Sequence, residues 1–208
     1  MKTALLVVDL QYDFMPGGAL AVKGGDEVVP LINALMGNFD YTIASQDWHP
    51  ERHVSFATTH GKIAGESIEI DGVKQELWPI HCVQNTHGAS LVEELKKDPI
   101  DHYFRKGIDR ETDSYSAFFD NGKKRETGLD AFLKEHEVTK LYIAGLTTDF
   151  CVKYSALDAL ELGYEVIVIA DACRAVFDKK DALKEMQQAG AEIVTVNSLD
   201  LGLPHLLT

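Results

Sequence analysis

The 208-residue chain is short of cysteine, proline and positive charge. Its three cysteines, Cys82, Cys151 and Cys173, are odd in number, far apart and never in a C-x-x-C pair. That excludes a disulfide scaffold and suits a reducing compartment. Lys and Arg total 20 against 33 Asp and Glu, a formal net charge of -13, which works against nucleic acid and anionic lipid because both demand clustered cations. The N-terminal stretch Met1-Lys-Thr-Ala-Leu-Leu-Val-Val-Asp9 is interrupted by Asp9 before it is long enough for a signal h-region or a membrane span. The expectation is a cytoplasmic protein with no nucleic-acid or membrane partner. No G-x-G-x-x-G follows the first apolar run and no G-x-x-x-x-G-K-[ST] occurs, so dinucleotide and P-loop chemistry lose their main support. Repeats and low-complexity tracts are absent as well.

What is present is ordinary globular composition, 45% hydrophobic and 25% charged, at a length that predicts one domain over 1–208. Short apolar runs recur at Thr3 to Asp9, Tyr41 to Ser45, His102 to Arg105, Leu141 to Leu146, Glu165 to Asp171 and Glu192 to Asn197. Their length and β-branched or aromatic content predict buried strands. Between them, Asp26 to Met36, Ser90 to Lys97, Leu129 to His136, Asp149 to Leu162 and Lys179 to Ala189 carry helical spacing, with Gly163 and Gly190 as stops after two of them. Alternating β and α elements predict a three-layer α/β/α sandwich around a six-stranded, mostly parallel sheet. One stretch resists this pattern: Gln46 to Gly88 is too long for a simple connector and reads as a functional loop.

Ligands of open α/β sheets bind beyond the carboxyl ends of the strands. Those positions hold Asp9, Asp47 with His49, Lys106, and Thr147 to Cys151. Cys151 sits where a strand hands over to a helix, in the first turn after a Thr148 or Asp149 cap, where the dipole and free N–H groups favour a thiolate. A lone cysteine is more often packed than reactive, so partners matter. Asp9 offers a base and Lys106 a cation to hold the charged form. Asp47, His49 and His81 form a second set, a carboxylate and two imidazoles that suit one divalent ion, zinc foremost, with iron or manganese as alternatives. His53 stands as a supporting residue or alternate ligand, because Pro50 breaks the helical face that would pair it with His49. His60, His87, His102, His136 and His205 read as surface or core histidines. Cys82 follows no strand and ranks below Cys151; Cys173 reads as packed.

The motifs resemble those of the nicotinamidase/pyrazinamidase family of isochorismatase-like cysteine hydrolases over nearly the whole chain. They are Val7-Val8-Asp9-Leu10-Gln11-Tyr12-Asp13-Phe14, Ala44-Ser45-Gln46-Asp47-Trp48-His49-Pro50, Trp78-Pro79-Ile80-His81-Cys82-Val83-Gln84-Asn85, Lys106-Gly107, Asp113-Ser114-Tyr115-Ser116-Ala117-Phe118 and Gly145-Leu146-Thr147-Thr148-Asp149-Phe150-Cys151-Val152. The resemblance implies a catalytic triad of Asp9, Lys106 and Cys151, metal ligands Asp47, His49 and His81, and an oxyanion hole from the N–H groups of Thr147 and Cys151 beside a cis Leu146-Thr147 bond. It implies Phe14, Trp78 and Tyr115 as walls of a ring pocket. The implied reaction converts nicotinamide and water to nicotinate and ammonia through a thioester, for NAD salvage, with pyrazinamide as an analogue and the metal anchoring the ring nitrogen. Isochorismatases lack the cysteine and the metal loop, and carbamoylsarcosine and ureidoacrylate hydrolases lack the Asp-x-His plus His set; this chain has both. It departs at Thr147, where relatives often carry Ala, a change that leaves the N–H in place. The rival readings are a hydrolase of another small carboxamide and a metal-binding or redox-sensing module. A homo-oligomer is left open.

Overall fold

The computed structural model describes residues 1–199; His205 and the rest of 200–208 lie outside the described residues. In chain order the elements are β1 (Lys2–Val8), α1 (Val28–Leu35), β2 (Tyr41–Asp47), β3 (Ser67–Ile70), β4 (Val73–Glu76), β5 (His102–Lys106), α2 (Leu129–Glu135), β6 (Val138–Leu146), α3 (Lys153–Glu161), β7 (Glu165–Arg174), α4 (Lys179–Ala189) and β8 (Glu192–Val194). Six strands make one sheet in the order β5-β2-β1-β6-β7-β8. Every pairing in it is parallel, so the sheet is more uniform than expected.

β1 shows why it lies at the centre. Ala4 through Val8 are fully buried, and their side chains alternate between two cores. Leu5 and Val7 join the core built on α1, with Val28, Ile32 and Leu35. Leu6 and Val8 join the opposite core, with Leu129 and Leu133 of α2, Ala156 of α3 and Met186 of α4. Burying apolar side chains on both faces contributes roughly 1.5–3 kcal/mol for each large one. The result is the expected three-layer arrangement.

Strand order turns outward in both directions from the β1/β6 pair, because the chain fills β2 and β5 on one side and then β7 and β8 on the other. This switch point opens a crevice at the strand C-termini. Gly145 keeps β1 and β6 close there: its φ is 124°, and a Cβ would lie 2.2 Å from the Val8 carbonyl oxygen.

Two local expectations fail, and one hairpin was not expected. Ser90 to Lys97 forms no helix, because its backbone is already engaged. Ser90 O accepts from Tyr12 N, Val92 N donates to Leu10 O, and the Asn33 side chain takes both Glu94 O and Lys96 N. The strand assigned to Glu192 to Asn197 ends at Val194 and passes into a tight turn, where Asp171 accepts from Val196 N. Within the long loop, β3 and β4 form an antiparallel hairpin closed by Asp71-Gly72, whose φ values are 50° and 79°. That dipeptide is a strong local hairpin signal which the sequence reading passed over.

Candidate active site

Four strand ends deliver the site. Asp47 and Lys106 are register partners at the last pairs of β2 and β5. Asp9 follows β1 with a left-handed φ of 50°, a conformation Asp tolerates better than most residues. Thr147 follows β6 through a cis Leu146-Thr147 bond, and the next turn carries Cys151.

Lys106 is the hub. Its side chain is fully buried, and Nζ lies 2.5 Å from Asp47 Oδ1, 2.9 Å from Asp9 Oδ2, 3.0 Å from Ser114 O and 3.2 Å from Cys151 Sγ. Burial by itself would discharge the amine, but the Asp47 and Asp9 carboxylates more than reverse this and hold it well above its ordinary pKa. Lys106 is therefore a permanent cation. Burial raises the Asp9 pKa; Lys106 opposes that and Asp47 adds to it. Ser45 Oγ donates to Asp9 Oδ1 at 2.6 Å. Asp9 Oδ2, beside the ammonium, receives no well-aligned hydrogen bond and is free to take a proton.

The expected thiolate is corrected. Burial pushes the Cys151 thiol well up; Lys106 pulls it down, and Asp9 and Asp47 push it up again. Desolvation of a thiolate outweighs a helix start, so the resting group is a thiol. The expected cap is corrected too. The turn Thr148–Val152 is π-helical, with no side-chain cap at Thr147, and Asp149 turns away to accept from Val176 N and Phe177 N. Cys82 and Cys173 are buried with their thiols held up by burial, Cys173 to about 12.

Beside this cluster, one ligand atom each of Asp47, His49 and His81 lies within 4.8 Å of the others. Asp47 Oδ2 is 3.5 Å from His49 Nε2 and 3.7 Å from His81 Nε2. The opposite ring nitrogens face carbonyls, Nδ1 of His49 to Gly107 O at 3.0 Å and Nδ1 of His81 to Pro79 O at 2.8 Å. A carbonyl only accepts, so each Nδ1 carries the proton and each Nε2 lone pair points at the shared centre. Burial draws His49 down, but Asp47 outweighs it and lifts the imidazole above its ordinary value. Such a donor set fits a divalent cation. Gly107 is required here, with φ 62° and a Cβ that would fall 2.4 Å from His49 Cε1.

His53 stacks on His49 at 4.1 Å between centroids, with Nδ1 on Ser55 Oγ and Nε2 facing Thr112 O. Burial, then the His49 charge, push it down to about 4. Both of its nitrogens already have partners, and its ring supports that of His49. A grouping of His49 and His53 with Asp113 shares that same ring. A further grouping of Asp9, Asp47 and Cys151 encloses the Lys106 ammonium, which already supplies its cation.

Thiol and donor set face one small pocket. Phe14, Trp78, Tyr115 and Thr147 are among the residues that line it. Leu20, Asp113, Phe150 and Val176 line it unannounced. Sequence reasoning also missed Gln11, whose carboxamide donates to Asp47 O at 2.7 Å and accepts from Asp47 N at 2.8 Å. The signal was there, since Gln11, Ser45 and Phe150 all fall inside the motifs.

A family model described as an isochorismatase domain matches residues 3–198, which makes the protein an isochorismatase-type α/β hydrolase. The Escherichia coli nicotinamidase is 49% identical over 201 residues, covering 93% of this chain and 94% of that protein. A solved nicotinamidase/pyrazinamidase of Acinetobacter baumannii superposes with a TM-score of 0.92 at 42% identity, covering 94% of this chain and 97% of that one. A pyrazinamidase of Pyrococcus horikoshii, solved in complex with zinc, gives 0.77 at 38% identity and covers 94% and 99%. This chain belongs to the nicotinamidase/pyrazinamidase family. Among the described residues no helix is long and apolar enough to cross a membrane.

Proposed function

We propose that the protein is a nicotinamidase that converts nicotinamide and water to nicotinate and ammonia, with pyrazinamide as an alternative substrate, in NAD salvage. The observation that carries this reading is the Lys106 ammonium, buried 3.2 Å behind Cys151 Sγ and 2.9 Å from Asp9 Oδ2, where Cys151 lines the same pocket as Asp47, His49 and His81. Asp9, Asp47 and Cys151 gather around that ammonium, with one ligand atom of each within 4.8 Å of the others.

In this reading Asp9 takes the thiol proton as Cys151 attacks the carboxamide carbon, and Lys106 stabilises the sulfur charge. The N–H groups of Thr147 and Cys151 receive the oxyanion, where one such donor is worth about 2.7–4 kcal/mol of barrier. Asp9 then hands its proton to the departing ammonia, leaving a thioester. In the second half Asp9 deprotonates water, which attacks the thioester; the C–S bond breaks, Asp9 returns that proton to the Cys151 sulfur, and the acid released ionises to nicotinate. Asp47, His49 and His81 would hold one divalent ion, zinc foremost with iron or manganese as alternatives, supplying a Lewis-acid anchor for the ring nitrogen. Phe14, Trp78 and Tyr115 flank the ring.

Ammonia release from nicotinamide tests the proposal. The wild type turns over, and Cys151→Ala does not; turnover surviving in Cys151→Ala overturns the mechanism.

A further inference from the structure

We infer that Phe177, held at the pocket mouth by Asp149, is a specificity-determining residue that walls off the outer edge of the substrate ring; this rests on the aromatic-carboxamide reading above. Asp149 belongs to the same turn as Cys151. Its two carboxylate oxygens accept separately, Oδ1 from Val176 N at 3.0 Å and Oδ2 from Phe177 N at 2.8 Å. The segment after β7 is thereby tied to the turn that carries the nucleophile, rather than drifting as a free loop.

The two tethered residues face different surroundings. Val176 and Phe150 line the pocket. Phe177 is 73% exposed, an unusual position for a phenyl group, yet its ring is not isolated. It stands 6.3 Å from Trp78 at an interplanar angle of 25° and 6.1 Å from Phe150 at 63°. Trp78 and Phe150 themselves meet edge-on at 4.9 Å. Trp78, Phe150 and Phe177 therefore make one aromatic group in which Trp78 is buried, Phe150 half-buried and Phe177 exposed. With the amide carbon at Cys151 and the ring nitrogen turned to Asp47, His49 and His81, the remaining ring edge is left to the apolar lining. Trp78 and Phe150 belong to that lining, Phe177 extends it outward from them, and aromatic faces offer a planar ring stacked or edge-on contact. The ligand class it selects is a flat aromatic carboxamide without bulk on the ring edge away from the amide.

The test compares nicotinamide with a nicotinamide carrying a propyl group at ring carbon 5, using the metal-loaded full-length enzyme. In Phe177→Ala, KM for nicotinamide rises more than kcat falls, and kcat/KM for the propyl amide relative to nicotinamide rises by about tenfold, the scale set by small apolar groups in a pocket. Phe177→Leu falls between. Asp149→Asn, which keeps one acceptor and loses the other, moves the same ratio in the same direction while iodoacetamide still alkylates Cys151. An unchanged ratio and unchanged KM in Phe177→Ala overturn the role of Phe177. A fall in kcat with no change of ratio in Asp149→Asn overturns the tether. Wild-type enzyme that releases no ammonia from nicotinamide removes the parent reading and this inference together, an outcome separate from either.

Discussion

Replacing Lys106 by Met removes a charge and keeps most of the volume, and the cost follows from what the ammonium touches. Its contacts with Asp47 Oδ1 at 2.5 Å and Asp9 Oδ2 at 2.9 Å neutralise two carboxylates that are almost wholly out of water. Taking away one partner of a buried ion pair leaves the other charge uncompensated, worth about 3–5 kcal/mol. At about 2–4 °C per kcal/mol for a chain of this size, melting falls by about 6–20 °C. The dependence on pH gives the sharper test. Asp9 has a folded pKa raised above 3.8, so its folded state binds the proton more tightly and stability is lost as pH rises through that value. Without Lys106 this shift grows, and the variant recovers stability on going from pH 7 towards 4. In the wild type Asp47 has the opposite sign: burial would raise its pKa, but Lys106 and His49 hold it well below 3.8. Its contribution is present above 3.8 and is lost as pH falls through the depressed folded value. The gap between the two proteins therefore narrows on acidification. Urea unfolding of metal-free protein in chelator at pH 7 and pH 5 measures it. A loss under about 1 kcal/mol, the range of an exposed pair, or an equal loss at both pH values would refute the reasoning.

Three other outcomes follow from the same geometry. Chelation raises KM for nicotinamide while Cys151 remains open to alkylation, and added zinc restores it; loss of thiol reactivity on chelation would place the ion on the nucleophile instead. Gln11→Leu deprives Asp47 of the partner for both its backbone N–H and its C=O, so metal affinity measured by competition with a chromophoric chelator drops about 10–100-fold. Thr147→Val keeps the backbone N–H and removes a buried hydroxyl that has no hydrogen-bond partner, so ammonia release persists and urea stability is unchanged or about 1–3 kcal/mol higher; a large fall in kcat would give the hydroxyl a role in the reaction.

The legible parts of the site were those marked by strand ends. Asp9, Asp47, Lys106 and the Thr147 to Cys151 turn each close an apolar run, and a parallel sheet puts such ends on one edge. The cores of β1 and β6 were legible for a related reason, since a strand buried on both faces is a near-continuous apolar run. Ser90 to Lys97 misled because helical spacing only records which side chains are apolar. It cannot report that Leu10, Tyr12 and Asn33 have already claimed the backbone. Asp149 misled in the same way: a short acid at a helix start is a good cap locally, and the N–H groups that took it lie 27 and 28 residues further on.

The sequence by itself determined the α/β order and the four strand ends that carry acid, imidazole, amine and thiol, because these depend on neighbours along the chain. Only the tertiary structure decided that burial holds the Cys151 thiol up, that the Lys106 ammonium touches Cys151, Asp9 and Asp47 together, that His53 stacks on His49 with both nitrogens partnered, and that Phe177 stands beside Trp78 and Phe150. Each of those depends on burial and on charges brought within a few ångströms from distant segments. Desolvation and Coulomb energies act through space, and a linear pattern carries no distances.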